Sequence, residues 1–387
     1  MCDGHGGTRV VATRPAGISR RDALQRAGAW MSALAVTPFA SRADWLLVPM
    51  DDAQRQHLKA YGLAYHALTD GLRAEWLLNY RGGSFLMPDA TSVRQRAALD
   101  GIVVEALGEG QVAALRAEIG ASNMDAVPLE KPPKVAVYTP PAAVPWDDAV
   151  TLAMEYAGIP YTKLYDEEVL RGDLKLYDWV HLHHEDFTGQ LHKLHLGFRD
   201  APWYIAQRDL NMGMARQLGF DSIPALKKGV ASAIRDYVQG GGFLFAMCGA
   251  TETLELANAA ASVDIAGIFA DGTPVDPDVN ERLDWSRAFA CTGARLELGP
   301  GVNAMSDIDG HQVNVPGRRQ PLGAFTLFDF AAKFDPVPSM LVQNHQNVLG
   351  DFYGVTTSFV RRVLKPGITV LAHEEGTEFV KYLHGAY

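Results

Sequence analysis

Apolar residues at Leu226, Val230, Ile234 and Val238 recur every four positions, the stripe of an amphipathic helix. Gly240, Gly241 and Gly242 come next, with the positive-φ freedom that ends a helix. Residues 243–247 are then an unbroken apolar run, short enough for a strand buried on both faces of a parallel sheet, and a helix-compatible stretch follows over 251–261. Upstream, runs at 134–138, 161–165 and 177–183 read as strands, with a helix ending at Ala157 between the first two. Such alternation calls for a parallel sheet. Before the prolines at 128, 132 and 133, strand runs at 45–50, 75–79 and 102–106 and helices over 58–68 and 110–119 predict a smaller N-terminal α/β domain, 44–130, built like half of a doubly wound sheet. Residues 134–387 form the main domain, with a turn-rich insertion at about 267–322. Its last strand run, 368–371, is followed by the apolar stretch 379–383 and no closing helix, so further chain is expected beyond Tyr387.

The front of the chain reads as an address. Ser19, Arg20, Arg21, Asp22, Ala23 and Leu24 form a twin-arginine pattern, followed by a weakly apolar stretch over 27–40 and small residues at 40–43. Residues 1–43 are thus expected to be an export signal and the protein periplasmic or secreted; the other reading is a plain N-terminal extension. No segment has transmembrane length. The formal charge of −10, with six Arg against two Asp in the first 43 residues, leaves an acidic body. That excludes broad phosphate-backbone binding, so no nucleic-acid partner is expected.

Chemistry gathers in three places. Cys248 falls at the corner between the apolar run and the next helix, where an α/β enzyme holds its nucleophile and a helix N-terminus favours a thiolate. A buried, inert thiol is the competing reading, and a Cys248–Cys291 disulfide in an oxidising compartment is another. His181, His183, His184, Glu185 and Asp186 form a polar cluster where the 177–183 strand ends. Alternation puts His181 and His183 on one face and His184 on the other. If the strand stops near His183, then His183, His184 and Glu185, with His192 or His195, are able to surround zinc or iron; otherwise the cluster orients the Cys248 site or ties down a loop. No cofactor is otherwise required. His373 leaves the end of a strand and is the best-placed base, against a surface hairpin as the alternative. Arg81 to Ser84 is either an anion-holding or a simple reversing turn, and 307–311 lacks the full spacing of a calcium loop.

The strand–Cys–helix corner after a βαβ start at Lys134 resembles the class I glutamine amidotransferase-like superfamily. More narrowly, LVPMD at 47–51, WLLNYRGG at 76–83, HLHHEDFTG at 181–189 and AMCGATE at 246–252 are similar to an exported bacterial family labelled asparagine synthetase B. The resemblance implies a flavodoxin-like three-layer fold, Cys248 as nucleophile, His373 and Glu252 as its partners, and Gly249 N–H as one oxyanion donor, with Thr188 and Gly189 supplying another. The corner lacks the Gly-x-Cys-x-Gly form of glutaminases, and no His-Pro-Glu follows the last strand. No Ser-Gly-Gly-x-Asp-Ser pyrophosphate loop occurs, so asparagine synthesis itself is not expected. Three functions follow: a cysteine-dependent hydrolase of an amide or ester, a non-catalytic module binding a small-molecule, carbohydrate-like or envelope ligand, or a metal enzyme of the 181–186 loop. Neither substrate nor oligomeric state is written in the sequence.

Overall fold

Trp45–Val48 (β1), Ala74–Leu78 (β2), Ser84–Pro88 (β3), Glu105–Leu107 (β4) and Asp125–Leu129 (β5) form a five-stranded sheet in the order β4-β1-β3-β2-β5. These coordinates are a computed structural model, described for residues 44–145, 148–191, 194–299, 306–308, 323–343, 347–352, 358–374 and 377–381. All belong to one compact unit, Asp44–Tyr387. Residues 1–43, read above as an export signal, lie outside the described residues, together with His192 and most of 307–311.

Every pairing in the first sheet is antiparallel, which corrects the half-doubly-wound expectation. The cause is the link between β2 and β3. It is a tight turn in which Asn79, Arg81, Gly82 and Gly83 all have positive φ, far too short for the crossover that parallel pairing needs. Gln343 clamps this turn, accepting from Asn79 N–H at 2.7 Å and donating to its Oδ1 at 2.8 Å. Alternation in β1 feeds two cores. Leu46 and Val48 pack with Ala60, Leu63 and Ala64 of helix α1 (His57–Thr69) and with Val93 and Ala97 of α2 (Thr91–Asp100). Leu47 faces Val112, Leu115 and Ile119 of α3 (Glu109–Ala121).

The second sheet is parallel, in the order β7-β6-β8-β9, from Val135–Tyr138 (β6), Tyr161–Leu164 (β7), Trp179–Leu182 (β8) and Leu244–Ala246 (β9). Ala149–Ala157 (α4) covers one face through Met154 on Val135 and Val137. The other face buries Leu226, Val230 and Ile234 of α5 (Ile223–Gln239) with Ala250 and Leu254 of α6 (Gly249–Ala259). The predicted four-residue stripe is that buried face. The chain is therefore mixed α/β with a parallel sheet that carries helices on both faces; β9, at the end of that sheet, is not the doubly buried strand expected of 243–247, since Phe243 and Phe245 are exposed. The first layer docks on α4 at Gly62, where a Cβ would stand 1.9 Å from the Ala157 carbonyl oxygen, so only glycine permits this helix approach.

A third sheet, β11-β10-β13-β14-β12, is antiparallel throughout: Gly323–Leu327 (β10), Val348–Phe352 (β11), Phe359–Val360 (β12), Thr369–Glu374 (β13) and Thr377–Lys381 (β14). The 368–371 run thus does not continue the parallel sheet, because a two-residue link to β14 dictates a hairpin. Part of the expected insertion packs behind α6, with Val279, Leu283 and Cys291 against Leu256 and Ala259. Among the described residues no helix is long and apolar enough to cross a membrane.

Candidate functional site

The carboxyl ends of β8 and β9 lie side by side, Leu182 in register with Ala246. What leaves those ends makes the site. Cys248 is the N-cap of α6 with φ 52° and ψ −141°. A side chain in that region costs on the order of 1–3 kcal/mol, and persists where its surroundings over-determine it. They do so here: Met247 N–H donates to Leu182 O at 3.2 Å, Ala250 N–H to His183 O at 3.1 Å, and Thr253 Oγ1 to Glu185 O at 2.9 Å. Cys248 is half-buried, Cys291 fully buried, and neither is in a disulfide. The proposed Cys248–Cys291 bridge is therefore not made. Burial pushes the Cys291 thiol far up, so it is no competing nucleophile. Of the first α6 amides, those of Ala250 and Thr251 are engaged with His183 O and Cys248 O. Gly249 N–H, one position earlier, has no acceptor inside the helix.

β8 stops at Leu182, and the next residues turn toward α4. Asp148 caps that helix, accepting from Val150 N–H at 2.6 Å and Thr151 N–H at 3.3 Å. Its other oxygen, Oδ2, lies 2.7 Å from His183 Nδ1. Burial works to raise the Asp148 carboxyl, but the His183 hydrogen bond and charge and the two amides outweigh it, down to about 2. The same bond raises His183 against its own burial. His184 is exposed, its ring centroid 4.9 Å from that of His183 and its Nδ1 3.3 Å from His183 Nδ1. One donor atom from each of Asp148, His183 and His184 lies within 4.8 Å of the others.

Several expected members do other work. Glu185 does not join the two histidines as a ligand: its Oε2 accepts from His183 N–H at 3.0 Å, and burial raises its carboxyl. Asp148 takes its place. Asp186 holds a loop, accepting from the Thr188 amide and hydroxyl and from Gln190 N–H. Thr188 and Gly189 are buried, their amides donate to Asp186, and a Cβ on Gly189 would stand 2.6 Å from Pro224. They are packing elements rather than oxyanion donors. Glu252 is buried and binds Ser306 through its amide at 2.7 Å and hydroxyl at 2.8 Å, a tie between α6 and the following segment. His181 is fully buried, stacked on Phe245, and held down to about 4 by desolvation. His195 stacks on Phe269 and bonds Tyr204. His373 sits in the third sheet, paired with Thr326 and Glu378 and packed on Phe328. It lies within a strand of that antiparallel sheet and not beyond the end of one in the parallel sheet that leads to Cys248, which corrects its reading as the base.

The same edge of the parallel sheet carries a second polar group. Lys227 Nζ, buried on α5, reaches both Asp166 oxygens at 2.9 Å, Tyr138 Oη at 2.9 Å and Tyr165 Oη at 3.1 Å. Tyr165 donates to Asn211 at 2.6 Å and Tyr138 to Asp166. Nothing in the sequence spacing marks this network. Asp148 stands 35 residues before His183 in the chain. The adjacency of parallel β6 and β8 closes that gap.

No family model, curated protein or solved structure matches this chain.

Proposed function

We propose that the chain is an exported, cysteine-dependent hydrolase of the class I glutamine amidotransferase-like type, with a flavodoxin-like core, acting on an amide or ester. The observation that carries this reading is the positive-φ backbone of Cys248 at a strand-to-helix corner. A strained corner of that kind lifts a nucleophile clear of the sheet edge and aims it beside helix amides. The Asp148–His183 pair on the neighbouring strand end supplies the base that His373 does not.

In this mechanism His183 takes the Cys248 proton, and the thiolate attacks the carbonyl carbon. The displaced electron pair moves onto the carbonyl oxygen, against Gly249 N–H. Collapse breaks the C–N or C–O bond, and the leaving group takes the proton from His183. Water, deprotonated by His183, then cleaves the thioester and restores the thiol. Asp148 is a positioning residue: accepting from Nδ1–H, it leaves Nε2 of His183 for the proton.

The test uses p-nitrophenyl acetate as an acyl donor and peptide mass spectrometry as readout. Wild type is expected to carry an acetyl thioester at Cys248 and to turn over, with Cys248→Ala reducing turnover by roughly a thousandfold or more. Acetylation of Cys248 no faster than that of a small free thiol at the same pH would sink the reading. Export is tested separately, by fusing residues 1–43 to a folded reporter and locating it.

A further inference from the structure

We infer that Asp148, His183 and His184 form a site for a divalent transition ion of the zinc class, and that occupation of this site silences the Cys248 chemistry. Among the described residues, this is where three such side chains converge. The chemistry of the donors points to a cation. His183 Nδ1 stands 2.7 Å from Asp148 Oδ2 and 3.3 Å from His184 Nδ1, so a carboxylate oxygen and two imidazole nitrogens crowd one point. An ion that takes the place of the proton on His183 Nδ1 meets all three. Two imidazoles and one carboxylate are a donor set for zinc, whose ligands sit at about 2.0–2.2 Å and leave a fourth position open. Two of the three residues come already anchored. Asp148 is fixed by the α4 amides, and the backbone of His183 is fixed at both ends, its N–H on Glu185 and its C=O on Ala250. His184 is exposed, so an ion has an entry path.

Binding stands independently of the thiol reading; silencing rests on it, because an ion that displaces the proton from His183 and holds Asp148 removes the base and its positioning partner together. Two readouts keep these apart. Full-length protein stripped with chelator is titrated with Co²⁺, followed by visible absorption, and with Zn²⁺, followed by calorimetry; p-nitrophenyl acetate turnover is measured on the same samples. One equivalent is expected to bind, with absorption typical of four- or five-coordinate cobalt. Affinity should fall at least tenfold in His184→Ala, an exposed change that leaves the fold intact, and in Asp148→Asn, which retains the cap. Equal affinity in wild type and both variants overturns the site. Binding with undiminished turnover at saturating Zn²⁺ overturns the silencing alone, while binding in a protein whose Cys248 is inert leaves the site standing and removes the proposed hydrolase.

Discussion

Two polar clusters share the carboxyl edge of one parallel sheet, and they are built to opposite specifications. At β6 and β7, Asp166 and Lys227 are almost fully removed from water, and four oxygens surround the ammonium at 2.9–3.1 Å. At β8 and β9, Asp148 is buried as well, but His183 retains some exposure, His184 is open to solvent, and Cys248 holds a conformation that disfavours side chains. Both set a carboxylate against a nitrogen side chain. What separates scaffold from site is thus not charge but satisfaction: the first cluster has its needs met internally, while the second stores strain and presents lone pairs outward.

The largest effect expected from testing that contrast is on the sealed side. Lys227→Met leaves Asp166 buried without its cation, and removing one partner of such a pair costs about 3–5 kcal/mol. Urea unfolding should show a loss of that size, with iodoacetamide labelling of Cys248 unchanged in the folded fraction. A loss below about 1 kcal/mol would mean that the network is not the anchor its geometry describes.

Glu255 sharpens the comparison by separating burial from satisfaction. It lies on α6, buried, accepting from Phe289 and Ala290 amides at 2.8 and 2.7 Å, and among the described residues no ammonium or guanidinium bonds it as Lys227 bonds Asp166, Lys365 acting only at longer range. Burial raises its carboxyl to about 7 against the pull of those amides. A carboxyl whose pKa is higher in the folded state binds more protons there, so its stabilisation is full below the unfolded value near 4.5 and is lost as pH rises through about 7. The expected change is about 3 kcal/mol across that window. Thermal melts from pH 4.5 to 8 should show this decline, and Glu255→Gln should flatten it, whatever its absolute stability.

On the open side, His183→Ala should slow iodoacetamide labelling of Cys248 near neutral pH by about a hundredfold, the range for a lost general base. The stability cost should stay below that of Lys227→Met, because Asp148 keeps its two amide donors and His183 is partly exposed. Unchanged labelling would show that another group activates the thiol.

The sequence made this edge legible only where local pattern decides structure. The α5 stripe, the three glycines and the apolar run before Cys248 all dictate local geometry, and the corner fell where they put it. β3 and α2 escaped notice. The first is a short run beside a glycine turn, and the second buries only Val93 and Ala97 along an otherwise polar surface. Strand direction was read wrongly at both ends of the chain, because an apolar run is equally at home in a hairpin and in a crossover. The site partners were the least legible. The sequence offers Glu185 beside the histidines, but the backbone amide of His183 takes its carboxylate, and the acid that meets the His183 ring is Asp148, distant in the chain.

The smallest effect tests the strain itself. If the φ of 52° at Cys248 is a cost imposed by the flanking hydrogen bonds, then glycine, which accepts that region freely, should suit the corner better than alanine, which does not. At an ordinary position glycine is less stable than alanine by about 0.5–1 kcal/mol, through the entropy of the unfolded chain. The order should reverse here. Both Cys248→Gly and Cys248→Ala remove the thiol, so chemistry cannot confuse the comparison, and Cys248→Gly should be the more stable by about 1 kcal/mol in urea unfolding. The usual order, with alanine ahead, would show a relaxed corner, and the argument that Cys248 is held for reactivity rather than packing would lose its footing.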